Sequence, residues 1–231
     1  MSSSNLYHTE VSSQGDSQFP FSFTADKEDQ GSSSHEFEAL GNLRTVWTNE
    51  KRSPELLRFE TSAFEEVQSW LKRQQQMVPS ISPDMREIYA LDCARVEYIM
   101  KSYLRFRLFK IQKFAAFYLK KEPSKLSPAE HRFATKFLAS VHDHFVQAFL
   151  HCLPDDDAFQ STVNEKDYRG SMIREPEMFA FVFARAIEHV GKIACGTAAD
   201  PYEVTIEKDK TYLVKYADIK GLLEQGRLCL V

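Results

Sequence analysis

The sequence reads as a mainly α protein: a helical-bundle domain with one very long helix, followed by a small β-rich domain. Three observations lead there. Apolar residues recur at helical spacing across residues 36–153. Residues 84–121 contain neither glycine nor proline, so one helix of 38 residues is allowed. Beyond Pro176 the period changes to short runs that alternate apolar and polar.

Residues 1–35 are rich in serine (Ser2, Ser3, Ser4, Ser12, Ser13, Ser32, Ser33, Ser34), with Phe19, Phe21 and Phe23 as the only sizeable apolar cluster. So little apolar surface cannot offset the entropy of ordering, and a disordered tail is expected. Phe37, Leu40, Leu43 and Trp47 then make one helical stripe, ended by a turn at Ser53-Pro54. Ser62 and Glu65 fit a capping box for a second helix carrying Val67, Trp70 and Leu71. Pro79 and Pro83 separate it from the long helix. Ser127-Pro128-Ala129-Glu130 is a further capping box with proline at the first helical position, ahead of Phe133, Phe137, Leu138, Val141, Phe145 and Phe149.

The helical domain is therefore drawn over 36–153, and residues 154–176, with Asp155, Asp156 and Asp157, as an acidic linker. Residues 177–231 form the β-rich domain. Residues 178–184 have the length of a buried strand. Tyr202-Glu203-Val204-Thr205-Ile206 and Tyr212-Leu213-Val214-Lys215-Tyr216 alternate on either side of a polar turn, which predicts a hairpin. A short helix over 217–225, stopped by Gly226, and a final strand over 228–231 complete it.

A straight helix over 84–121 would run about 57 Å, whereas a domain of that size is only about 35 Å across. It must kink, or other chains must cover what protrudes. At 100° per residue Ile99, Tyr103, Phe106 and Phe114 share a side, but Leu104, Leu108, Phe109 and Leu119 point elsewhere, so the helix is apolar nearly all round. Its cations scatter over the wheel, and Arg107 and Lys110 lie in the apolar sector. A phosphate-tracking surface needs its cations on one accessible face, so paired or interface cations are the better reading, Arg107 above all.

Composition narrows the function classes. With 29 Lys+Arg against 33 Asp+Glu, the net charge of −4 does not suggest a coat for nucleic acid or anionic membrane. Eight glycines are too few for a chain built on phosphate-cradling loops. Cys93, Cys152, Cys195 and Cys229 form no C-x-x-C pair, so neither a disulfide framework nor a zinc site is expected; Cys93 reads as a small core residue. A leader-like or membrane-length apolar run is missing as well, which points to a soluble protein of a reducing compartment, cytosol or nucleus. His142, His144 and His151 form the one histidine cluster, with His144 and His151 on a shared helix face. No metal-ligand spacing, P-loop, dinucleotide or nucleophile-elbow motif accompanies them. No catalytic set, metal or cofactor is expected; a structural or interaction protein is.

The run Tyr98-x-x-x-Ser102-Tyr103-Leu104-Arg105-x-Arg107-Leu108-x-Lys110-Ile111-x-Lys113-Phe114 resembles the signature helix of the Sld-type subunits (subunit 4) of the GINS complex, part of the eukaryotic replicative helicase assembly. Trp47-x-Asn49-Glu50-Lys51-x-x-Pro54-Glu55-Leu56-Leu57 is similar to the segment closing that family's first helix, and Leu126-Ser127-Pro128-x-Glu130 to a helix start. Tyr216-x-x-Ile219-x-x-Leu222-Leu223-x-x-Gly226, with Leu-Val at the end, resembles its carboxyl-terminal module. Gln112, Glu97 and the loop over 193–201 depart from the family pattern. The resemblance covers residue 36 to the end.

It implies a helical A domain, a linker and a small β-rich B domain in a non-catalytic, cofactor-free subunit of the nucleus. It further implies an obligate heterotetramer with three homologous GINS subunits, a scaffold joining the MCM motor to its cell-division-cycle partner for initiation and fork progression. DNA would be met only indirectly, and no membrane at all. Trp47, Leu56, Leu57, Tyr103, Leu104, Arg107, Leu108, Lys110, Ile111, Phe114, Tyr212, Val214 and Tyr216 are the expected core or partner-contact positions. Two alternatives stay open: a direct DNA-binding module using Arg105, Lys110 and Lys113, and a metal-dependent enzyme centred on His144, His151 and the aspartates.

Overall fold

The structure, a computed structural model, describes residues 32–80, 82–152, 173–197 and 200–231. Helix α1 (Ser32–Arg52) starts inside the stretch expected to be tail. Serine is favoured at helix starts, so a serine run abutting an apolar stripe extends the helix. Residues 1–31, with Phe19, Phe21 and Phe23, lie outside the described residues. Ala39 and Leu43 of α1 pack with Val67 and Leu71 of α2 (Thr61–Met77) and with Cys93, Val96 and Met100 of α3 (Pro83–Lys121). The expected Ser62–Glu65 capping box is not formed. Glu60 is the N-cap and makes no side-chain cap bond. Its carbonyl already accepts the Phe64 N–H, which places Ser62 inside the first turn.

The long helix is present, with 39 residues and proline at its start, and it bends at Phe114 (φ −129°, ψ 30°). A second cluster forms around the bend: Ile111, Phe114 and Tyr118 of α3 with Ala134 of α4 (Pro128–Ala148) and Leu56 from the α1–α2 loop. The capping box of α4 forms as expected. Ser127 Oγ accepts the Glu130 N–H at 3.3 Å, and Glu130 Oε2 accepts the Ser127 N–H at 2.8 Å. Phe149 (φ −154°, ψ −23°) leaves the helix, so His151 lies on a following 3-10 turn (Leu150–Cys152) and not on a face shared with His144. Most of the expected linker, Asp155, Asp156 and Asp157 included, falls outside the described residues. Ile173 and Pro176 from its end are buried.

The C-terminal part comprises β1 (Phe181–Ala186), β2 (Gly191–Thr197), β3 (Asp200–Ile206), β4 (Thr211–Lys215), α5 (Tyr216–Glu224) and β5 (Leu228–Leu230). The strands form two antiparallel sheets, β4-β1-β5 and β2-β3. Here the expected hairpin fails: β3 pairs with β2, and β4 pairs with β1. The polar turn between β3 and β4, with Asp209 at φ 63°, is itself bonded to the end of β1, since Asp209 N–H donates to Ala186 O and Ala186 N–H to Lys210 O. Of the stretch over 193–201, expected as a loop, residues 193–197 belong to β2 and residues 200–201 to β3. Nor is β1 a fully buried strand. Val182, Ala184 and Ala186 face the core, while Phe181 and Phe183 point outward and are more than half exposed.

Helix α5 stops at Gly226 (φ 73°), where the Gly226 and Arg227 N–H groups reach back to the Leu223 and Leu222 carbonyls. Its Tyr216, Ile219 and Leu223 fill the space over Val182, Val214, Leu228 and Leu230.

Candidate functional site

Between the two helical clusters, where a packed helix would ordinarily be apolar, α3 carries charge. Arg107 is fully buried, and each of its five N–H donors has an acceptor. Nε and Nη2 meet Glu130 Oε1 and Oε2 at 2.7 and 3.0 Å. Nη1 meets Glu50 Oε2 at 3.0 Å and Leu57 O at 2.8 Å, and Nη2 also reaches Lys125 O at 3.0 Å. The Phe59 and Tyr103 rings lie 5.1 and 5.6 Å from the guanidinium. Burial alone would lower the Arg107 pKa, but Glu130 and Glu50 outweigh it and hold the charge more firmly than usual. Burial pushes the Tyr103 phenol up to about 12.

One turn on, Lys110 is also withdrawn from water. Its ammonium donates to Glu50 Oε1 (2.7 Å), Ser53 Oγ and Glu55 O (2.8 Å each) and the Glu50 carbonyl. Burial pulls its pKa below the ordinary lysine value despite Glu50. Glu55, 2% exposed, extends the network to Lys125 (2.6 Å), Lys220 (3.0 Å) and the Tyr216 hydroxyl (2.8 Å). Counting Lys125–Glu122 (3.0 Å), four cations, Arg107, Lys110, Lys125 and Lys220, meet four carboxylates, Glu50, Glu55, Glu122 and Glu130. Such a network is formally neutral, and each of its cations has a carboxylate partner. Its chemistry is that of a structural clamp, because it leaves no free acid, base or nucleophile facing a cleft.

The expected positions divide cleanly. Leu56, Tyr103, Arg107, Lys110, Ile111, Phe114, Val214 and Tyr216 are buried within the chain. Trp47, Leu57, Leu104 and Tyr212 are half-buried, and Leu108 is exposed. Trp47 Nε1 donates to Ser102 Oγ at 3.0 Å, and Lys51 stands over its ring. Tyr212 accepts the Glu207 N–H. Lys110 is lost to the DNA-binding alternative, because its charge is consumed inside. His142 and His144 are exposed on α4, and among the described residues no group of three or more His, Cys, Asp or Glu could hold a metal.

Missing from the expected positions were Glu50, Glu55, Lys125 and Lys220. Glu50 and Glu55 flank the Ser53-Pro54 turn, and a buried Arg107 demanded carboxylates; that demand was the available signal. Leu91, Tyr98 and Phe109 are each more than half exposed. Spaced by 7 and 11, they fall within about 20° of one another on α3, a stripe that runs about 27 Å. Ile88 and Met85 extend its exposed apolar surface toward the start of the helix.

Comparison with known proteins agrees with this architecture. Residues 70–149 match the family model described as the GINS complex protein helical bundle domain, and residues 176–231 match the DNA replication complex GINS protein SLD5 C-terminus. The chain is 31% identical over 202 residues to the DNA replication complex GINS protein SLD5 of Chaetomium globosum, covering 83% of this chain and 90% of that one. The proteins of the same name from Arabidopsis thaliana and Homo sapiens are 28% and 29% identical, covering 82% and 84% of this chain and 89% of each relative.

Proposed function

Since the chain belongs to the SLD5 family of GINS complex proteins, we propose that it is a non-catalytic scaffold subunit of a GINS heterotetramer. In that role it joins the MCM motor and its cell-division-cycle partner into the active replicative helicase of the nucleus. The observation that carries this reading is α3 itself. Two of its central cations, Arg107 and Lys110, are spent on internal pairs, while Leu91, Tyr98, Phe109 and Leu108 remain in water along its length. Exposed apolar surface of that extent on a helix otherwise built into a core supports coverage by sibling helices.

In this reading the chain divides into a helical A domain (36–153), a linker and a B domain (177–231). Trp47, Leu104 and Leu108 are then the partner-contact members of the expected set. The buried members, from Leu56 to Tyr216, are the internal support that holds them in place. Three homologous subunits share the tetramer, and DNA is contacted only through the assembly.

Light-scattering mass after gel filtration tests the proposal, on the chain alone and then co-expressed with three sibling subunits. A stable 1:1:1:1 species on co-expression, with poor yield or aggregation alone, supports it. A well-behaved monomer that ignores the siblings overturns it.

A further inference from the structure

The loop between α1 and α2 touches both halves of the chain, and its residues alternate between them. Leu56 is buried among Ile111, Phe114, Tyr118 and Ala134, and its N–H donates to the Tyr118 hydroxyl at 2.8 Å. The next residue, Leu57, packs on the core of the C-terminal module. Glu55 addresses both sides at once. Lys125, in the turn before α4, binds it from the helical side. Tyr216 and Lys220, one turn apart on a single face of α5, bind it from the module side.

We propose that Glu55 is a charge latch that holds the C-terminal module on the helical bundle in one orientation. Removing its charge releases the module while both parts keep their folds. Each part has its own apolar cluster, so the carboxylate is not what folds either. Leu57 contributes apolar contact, which is non-directional. Three donors converging on two oxygens fix direction, and a buried carboxylate deprived of them is costly, so a misdocked module is penalised.

A reporter is built in. The Leu230 N–H donates across the junction to Asn49 Oδ1 at 2.8 Å, so its protection depends on docking rather than on the sheet. The test is amide hydrogen exchange on the full-length chain, comparing wild type with Glu55→Gln. The proposal expects the Leu230 amide to exchange at least tenfold faster, with Val182, Ala184 and the α3 amides unchanged. Unchanged Leu230 protection overturns it. Should Glu55→Gln unfold the whole chain, Tyr216→Phe and Lys220→Met serve instead, since each removes one module-side donor and leaves the helical side intact. Selective loss at Leu230 in their combination supports the latch; full protection there, or loss everywhere at once, overturns it.

Discussion

Glu130 holds the Arg107 guanidinium through both carboxylate oxygens, at 2.7 and 3.0 Å, and with the same Oε2 accepts the Ser127 N–H that opens α4. A local helix signal and a long-range buried pair thus share one side chain. The start of α4 is fixed not only along its own sequence but against the middle of α3. Glu50, from the last turn of α1, takes the opposite side of the same guanidinium. Arg107 therefore ties α1, α3 and α4 at one point.

Arg107→Ala should leave Glu50 and Glu130 buried without their main cation, at a cost of about 3–5 kcal/mol. Arg107→Lys should recover only part of this, because an ammonium offers three donors where five acceptor contacts are made. Urea unfolding midpoints of the two variants against wild type check this. A midpoint for Arg107→Ala equal to that of wild type would show that the network adds nothing.

The two members of the capping box should separate. Ser127→Ala loses one capping bond, at a cost of about 1 kcal/mol. Glu130→Ala loses the cap and also strips the bidentate partner from a buried guanidinium, so the loss should be about 3–5 kcal/mol. Equal midpoints for the two variants would mean that Glu130 acts only as a cap.

Helical order, the long α3, the second capping box and the pairing of Arg107 were legible because each is written in local period or in a single misplaced charge. The pairing of the strands was not. Alternation in Tyr202–Ile206 and Tyr212–Tyr216 marks two strands but says nothing of which neighbours they choose. The end of β1 takes the turn that a hairpin would have used. The strand β1 is obscured for a related reason: apolar residues on both of its faces, Phe181 and Phe183 outward and Val182 and Ala184 inward, imitate a buried run. Glu50 and Glu55 were hidden because an acidic residue beside a turn looks solvated until its partner, some 55 positions away or more, is known.

Replacing Phe109 with serine, alone or with Tyr98→Ser, should leave the chain's own stability within about 0.5 kcal/mol, since both side chains are mostly in water. Recovery of the co-expressed complex should fall, with a loss of about 2 kcal/mol or more in association for an aromatic anchor at the centre of an interface. Pull-down yield with the sibling subunits, read beside the melting temperature of the chain, separates the two effects. Undiminished yield would place the partner surface elsewhere.

The junction should be sensitive to acid and insensitive to moderate base. Burial by itself would raise the Glu55 pKa, but the Lys125 ammonium and the Tyr216 and Lys220 donors outweigh it and hold the carboxyl below its ordinary value of 4.5. A carboxylate depressed in the folded state contributes its full stability above that ordinary value, and the contribution is lost as pH falls through the lower folded value. Lys125 is shifted the other way: against burial, Glu55 and Glu122 raise it above 10.5, so its share is present below that value and lost only as pH rises through the higher folded one. Lys110, bonded to the Glu55 carbonyl, and Lys220 are the remaining cations facing this point. The difference in Leu230 amide protection between wild type and Glu55→Gln should therefore be constant at neutral pH and shrink as pH falls below 4.5 and through the lower folded value, where protonation makes the wild-type carboxyl as neutral as the amide. A difference that persists undiminished into that acid range would mean that the charge of Glu55 is not what holds the module.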